Sequence, residues 1–311
     1  MRNRLGVATA LVLATISAAC GAGAQPRERA MARDSAGITI VENTGGIWRE
    51  DDAWRLSSEP LVDIGVLDGE PEYQLYQVMG STRLADGRIV VVDGGSQEVR
   101  FYDAEGTYLT AVGGKGEGPG EFSFIGWIGR LPDDSIAVWD IMQSRLSILS
   151  PDARFVRSVT VDPIEGQTRP MMAGVFEDGS LFAVPGFSFT FTPGTKTTRD
   201  TSVYIRLGLD GDVVDTIGHF LDDEQATVAG EGGAFRTTPP FGRSTYKAVH
   251  GDAVYVADNE HYEVAVHGVD GVLRRLIRKT HEPLPVTAAD LSAARERMLE
   301  GESDENFRKM R

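Results

Sequence analysis

The segment Leu84-Ala85-Asp86-Gly87-Arg88-Ile89-Val90-Val91-Val92-Asp93 returns in register 47 residues later as Leu131-Pro132-Asp133-Asp134-Ser135-Ile136-Ala137-Val138-Trp139-Asp140. The same offset places Val99 on Leu146, Phe101 on Ile148, Glu105 on Asp152 and Val112 on Val159, without insertion or deletion. An offset of 165 gives a third copy, with Ile89 on Val254, Asp93 on Asp258, Val99 on Val264, Phe101 on Val266, Gly106 on Gly271 and Val112 on Ile277. Every inward apolar position therefore meets another apolar one. A unit of this length cannot bury both of its faces alone, so it must stack against copies of itself.

Within a unit, residues 89–92, 99–102 and 108–112 are enriched in Val, Ile, Tyr and Phe and are separated by short Asp/Gly/Asn turns, which predicts strands rather than helix. One more apolar stretch precedes each unit, at 76–79, 124–128, 172–175 and 246–249. Four strands per unit and a period in the forties predict an all-β fold, a β-propeller of four-stranded blades. A further unit opens at residues 176–184 and continues near 202–207 and 213–217, after an excursion through 187–201 that reads as a loop insertion on one rim.

The chain resembles the NHL-type repeat and bacterial six-bladed propeller lipoproteins. The resemblance rests on residues 89–93, on Val99-Arg100-Phe101-Tyr102-Asp103-Ala104-Glu105-Gly106, and on the Gly-rich connector at 113–122. It covers roughly residues 38–279 and implies fold rather than activity. About four blades are recognisable, with N-terminal strands at 38–41 and 54–64 and no evident C-terminal partner to close a ring. An amphipathic helix at 286–300 follows, with Thr287 as N-cap and Asp290 at the capping-box position. By comparison with such proteins, the chain reads as a six-bladed type, C-terminally truncated by one to two blades, with a short helical insertion near its end. The expected division is 1–20 signal peptide, 21–36 flexible tether, 37–285 blades and 286–311 helical insertion or truncated terminus.

Arg2 and Arg4, the apolar run 5–16 and Ser17-Ala18-Ala19-Cys20-Gly21 read as a short secretory signal rather than a spanning helix. Cys20 is the only cysteine and stands where a lipoprotein signal peptidase would leave it as the lipidated N-terminus. Cleavage after Ala22-Gly23-Ala24 is the competing reading and would discard it. The expected address is the cell envelope, lipid-anchored, with Gly21 favouring the outer membrane, facing the periplasm or exterior. Loss of residues 1–20 removes two arginines and no acid, so the formal charge goes from −15 to −17. That argues against nucleic-acid partners and anionic lipid surfaces, leaving the N-terminal lipid as the membrane contact.

Chemistry is sparse in the sequence. Asp93, Asp140 and Asp258 recur at one blade position, and repetition favours a turn-capping role over a ring of metal ligands. The connector 113–122, with Lys115, lacks the ending of a phosphate loop and reads as a blade crossing that packs Phe122 into the next blade. His219, His250, His261, His267 and His281 lack metal-site spacing, and no Ser or Cys stands in a nucleophile elbow. The acidic stretches 221–225 and 300–305 read as solvated loops. Phe187, Phe189 and Phe191 alternate with small polar residues and suggest a binding loop, or a strand pair that buries them on one face. No catalytic residue, cofactor site or metal site is assigned. The leading expectation is a module that binds a protein, peptide or glycan on a loop rim. The alternative is a metal-dependent lactonase- or lyase-type propeller hydrolase with a channel site, for which Glu72, Glu177 and Asn259 are the scattered candidates.

Overall fold

The computed structural model describes residues 30–45, 54–163, 168–186, 196–230 and 233–300. Cys20 and the phenylalanines Phe187, Phe189 and Phe191 lie outside the described residues. The chain runs through a hairpin, β1 Ala30–Ser35 and β2 Ile38–Asn43, and then through four antiparallel blades. Blade I contains β3 Val78–Arg83, β4 Ile89–Asp93, β5 Glu98–Tyr102 and β6 Tyr108–Gly113. Blade II contains β7 Ile125–Arg130, β8 Ile136–Asp140, β9 Arg145–Leu149 and β10 Phe155–Thr160.

Blade III is built from β11 Pro170–Val175 and β12 Leu181–Pro185, then, past β13 Lys196–Thr198, from β14 Thr201–Leu207 and β15 Val213–Leu221. β13 joins β16 Gln225–Gly230 and β17 Gly233–Thr237 in a separate three-stranded sheet. Blade IV holds β18 Thr245–His250, β19 Ala253–Asp258, β20 Glu263–Gly268 and β21 Leu273–Lys279, and the helix α1 Ala288–Leu299 follows.

The first strands of successive blades are neighbours, β3 with β7, β7 with β11 and β11 with β18, so they line a common axis. Alternation along each strand sends one set of side chains to each flanking blade. Val90, Val92, Val99 and Phe101 of blade I meet Ile136, Val138 and Leu149 of blade II. Ala137, Trp139, Leu146 and Ile148 turn the other way, onto Leu181, Ala183, Ile205 and Leu207 of blade III. Phe182, Val184 and Tyr204 then meet Val254 and Val256 of blade IV. Three interblade cores of this kind make the fold, as the 47-residue period requires.

Several expectations are revised. Strand β2 is not left without a partner: it pairs in parallel with β21, Thr39 opposite Arg275 through Asn43 opposite Lys279, and β1 closes the outer side. Residues 54–64 form no strand. Pro60 has no N–H to donate, Trp54, Leu56 and Leu61 are exposed, and Val62 and Ile64 approach blade I at Gly106. Beyond blade III, β16 and β17 form a hairpin, Ala226 opposite Thr237 through Gly230 opposite Gly233, that the repeat does not announce. The helix has its expected cap, with Asp290 N donating to Thr287 Oγ1 at 3.2 Å and Thr287 N to Asp290 Oδ2 at 2.9 Å, but it buries only Ala294 and so lacks a broad apolar face.

Candidate functional site at the axial mouth

Most residues that recur between blades hold turns. Asp93 Oδ1 accepts from Tyr76 N at 2.9 Å and Gly95 N at 3.1 Å. Asp140 does the same for Ser123 N at 2.6 Å and Gln143 N at 2.9 Å. Each carboxylate therefore staples its turn to the segment approaching the first strand of its own blade. In blade IV the task is divided: Asp258 takes Glu260 N at 3.0 Å, while Asn259 Oδ1 takes Ser244 N at 2.8 Å. These aspartates do not face one another around a channel.

Two arginines fix the connectors. Arg100 Nη1 donates to the carbonyls of Pro71, Glu72 and Gln74 at 3.1, 3.2 and 3.0 Å, and its Nη2 lies 3.0 Å from Asp93 Oδ2, with both side chains buried. Burial opposes the Arg100 charge, but the Glu98 hydrogen bond and the Asp93 charge outweigh it and raise its pKa further above the ordinary value. Arg145 donates to the carbonyls of Glu117 (2.9 Å), Gly118 (3.1 Å) and Glu121 in the Gly-rich connector. Gly118 N is taken by Glu121 Oε2 at 2.9 Å, and Phe122 is fully buried. The connector thus spends its carbonyls on a cation and is a blade crossing.

The remaining sequence candidates are also engaged. Asp258, Glu260 and His261 are, among the described residues, the one group close enough to share an ion, with ligand atoms within 4.8 Å of one another. Arg199 stands 3.5 Å from Asp258 and 3.7 Å from Glu260, and Arg243 stands 3.3 Å from Glu260, so arginines already neutralise it. The acidic stretch is not simply solvated: Asp223 accepts from Thr245 N at 2.8 Å and Glu224 from Arg243 N at 3.0 Å, which tie blade III to the approach of β18. His267 Nδ1 lies 3.1 Å from the Gly271 carbonyl. Glu72, Glu177 and Asn259 are not brought together: the Glu72 carbonyl serves Arg100 and Tyr102, and Asn259 serves Ser244 and Gly242.

What does converge lies at the mouth of the axis, where β3, β7 and β11 end. Residues Thr82, Arg83, Arg130, Pro132, Glu177 and Gly251 belong to the wall of a cavity of about 550 Å3. The pairings Arg83 opposite Ile89, Arg130 opposite Ile136, Val175 opposite Leu181 and Val249 opposite Val254 put these four residues at one register position. Blades I and II therefore carry arginine where blades III and IV carry valine. Neighbouring blades are joined here: Ala85 N donates to Asp134 Oδ2 at 3.1 Å, and Glu177 N to the Gly251 carbonyl at 3.3 Å. Arg130 is ion-paired with Asp134 and its Nη1 reaches the Arg83 carbonyl at 3.4 Å. Arg83 Nε donates to the Gly87 carbonyl at 3.0 Å. Asp134 holds φ at +64°, where the matching turns have Gly87 at +93° and Gly179 at +86°.

Residues 71–163, spanning all of blades I and II, match the family described as 6-bladed beta-propeller. The chain is a β-propeller. Solved structures similar to this propeller include a protein from Bacteroides fragilis, at 15% identity over 78% of this chain and with a TM-score of 0.43. The propeller spans 61% of that protein's length. Selenomethionine-substituted virginiamycin B lyase from Staphylococcus aureus matches at 14% identity over 73% of this chain and 78% of its own, with a TM-score of 0.37. A nidogen/laminin complex matches at 12% identity over 66% and 81%, with a TM-score of 0.35. No curated protein matches by sequence.

Arg83 and Arg130 do not stand out in the sequence, because a polar residue at a strand end has the pattern of a solvated face. The signal that finds them is the departure from the repeat: arginine holds at the 47-residue offset and is lost in the third and fourth units.

Proposed function

We propose that this propeller is an extracytoplasmic, membrane-tethered binding module that receives a protein, peptide or glycan at its axial mouth. One observation carries the reading. Charged side chains that differ between blades, Arg83, Arg130 and Glu177, share one open cavity, whereas the recurring aspartates are consumed in turns. A site built by departures from a repeat is what a repeat scaffold offers for recognition. The lipid tether is supported by the position of Cys20 after its apolar leader.

The test is binding of the full chain to peptide and glycan arrays, beside Pro132→Trp, which places bulk at an exposed turn of the mouth. Ligands retained by wild type and lost by the variant support the reading; ligands held equally by both place recognition elsewhere and end it. For the tether, wild type is expected in the membrane fraction and Cys20→Ser in the soluble fraction. Equal partitioning would remove the lipid anchor.

A further inference from the structure

Resting on the axial mouth as the binding site, we infer that its ligand is a peptide of mixed charge, its acidic group clamped by Arg83 and Arg130 and its ammonium group drawn to Glu177. The two arginines stand on adjacent first strands at one register position, and Arg130 Nη1 donates to the Arg83 backbone carbonyl. Among the described residues, Arg83 has no carboxylate partner, and its one side-chain bond is the Nε donation to Gly87. Its remaining N–H groups are available to an oxyanion, for which the planar guanidinium fork is suited.

Arg130 is oriented by Asp134, whose other oxygen contacts the Ala85 amide. That residue keeps a left-handed backbone in the one matching turn where glycine is absent. The Glu177 side chain is exposed on the wall supplied by blade III, and its own backbone N–H is fixed by Gly251. A uronate-type glycan could satisfy the arginines but would meet Glu177 with like charge. A peptide bearing both a carboxylate and an ammonium satisfies both sides. Arg130 is already paired with Asp134, so in a chain with a formal charge of −15 it is Arg83 that localises attraction for an acidic side chain at this mouth.

Calorimetric titration of the full chain with an end-blocked hexapeptide holding two glutamates and one lysine tests this. Controls are the same peptide with glutamine for glutamate, the same peptide with norleucine for lysine, and tetragalacturonate. The mixed-charge peptide is expected to bind, and to weaken about tenfold with Arg83→Gln and again on raising salt from 0.05 to 0.5 M, on the order expected for a charge-assisted pair and its screening. Glu177→Gln is expected to weaken the lysine peptide and leave the norleucine peptide unchanged. Tetragalacturonate binding tighter than the peptide overturns the peptide assignment, as does failure of the mixed-charge peptide to bind at millimolar concentration. A neutral ligand lost in Pro132→Trp yet unaffected by Arg83→Gln and Glu177→Gln would leave the binding module standing and remove the charge clamp.

Discussion

Arg100 shows how a single cation can hold a blade to the chain that precedes it. Its guanidinium takes three carbonyls of the 71–74 segment and sits beside Asp93, so truncation would strand a buried carboxylate and three acceptors together. Arg100→Ala is expected to cost about 3–5 kcal/mol, the range for breaking a buried pair from one side. Arg100→Met combined with Asp93→Asn should cost less than the two single changes added, because each change alone strands the other's charge and the pair of changes removes both. Urea unfolding of the four proteins measures the coupling; strict additivity would mean that the pair does not act as a unit. At this scale the turn roles of Asp93 and Asp140 could be read from the sequence, since a carboxylate recurring before Gly or Gln at a strand end has local N–H groups within reach. The reach of Arg100 and Arg145 to distant carbonyls could not, because neither spacing nor periodicity marks a side chain that bonds a connector 24 to 29 residues away.

Elements that repeat were legible and elements that do not were obscured. The second and third strands of blades I and II carry β-branched or large apolar residues at alternate positions between turns, and their bounds match the expectation closely. In blades I and II the first strands begin later than the apolar stretches that announced them, and in blades III and IV one or two residues earlier. Tyr76 and Phe124, 68% and 40% exposed, belong to the rim before the strand rather than to its interior. β13 has three residues, and β16 and β17 are rich in Thr, Ala and Gly, which carry no apolar alternation to read. The connector between blades I and II has its own test. Phe122 fills the first interblade core, so Phe122→Ala should destabilise by about 3–5 kcal/mol. Gly113→Ala adds a Cβ 2.7 Å from the Gln97 carbonyl at φ +114°, so it too should lower the thermal midpoint, which calorimetry would show. At α1, the hydrogen bonds from the Thr287 side chain and backbone hold the Asp290 carboxyl below its ordinary value of 3.8. The folded group binds a proton more weakly than the unfolded one, so the cap stabilises the helix above pH 3.8 and is lost as pH falls through the folded value. Amide exchange at Asp290 and Leu291 should quicken over that acid range, and a flat profile would rule the cap out as the cause.

Across the whole molecule, β2 joins the N-terminal hairpin to the outer strand of blade IV and gives β21 a partner on its open side. Exposed strand edges template association between copies. Removal of residues 30–43 is expected to raise amide exchange across 273–279 and to produce oligomers on size-exclusion chromatography, whereas a monodisperse monomer with unchanged exchange would show that β2 is dispensable. The pairing also sets an order of events. Asn43 Nδ2 donates to the carbonyl of Arg278, 235 residues further on, and every strand of the four blades lies between them. During synthesis β2 emerges early and finds its register only when the last strand of blade IV has been made. The hairpin is therefore the clasp of this molecule, fastened only once β21 is available, and until it fastens the edge of β2 lies open to the wrong partner.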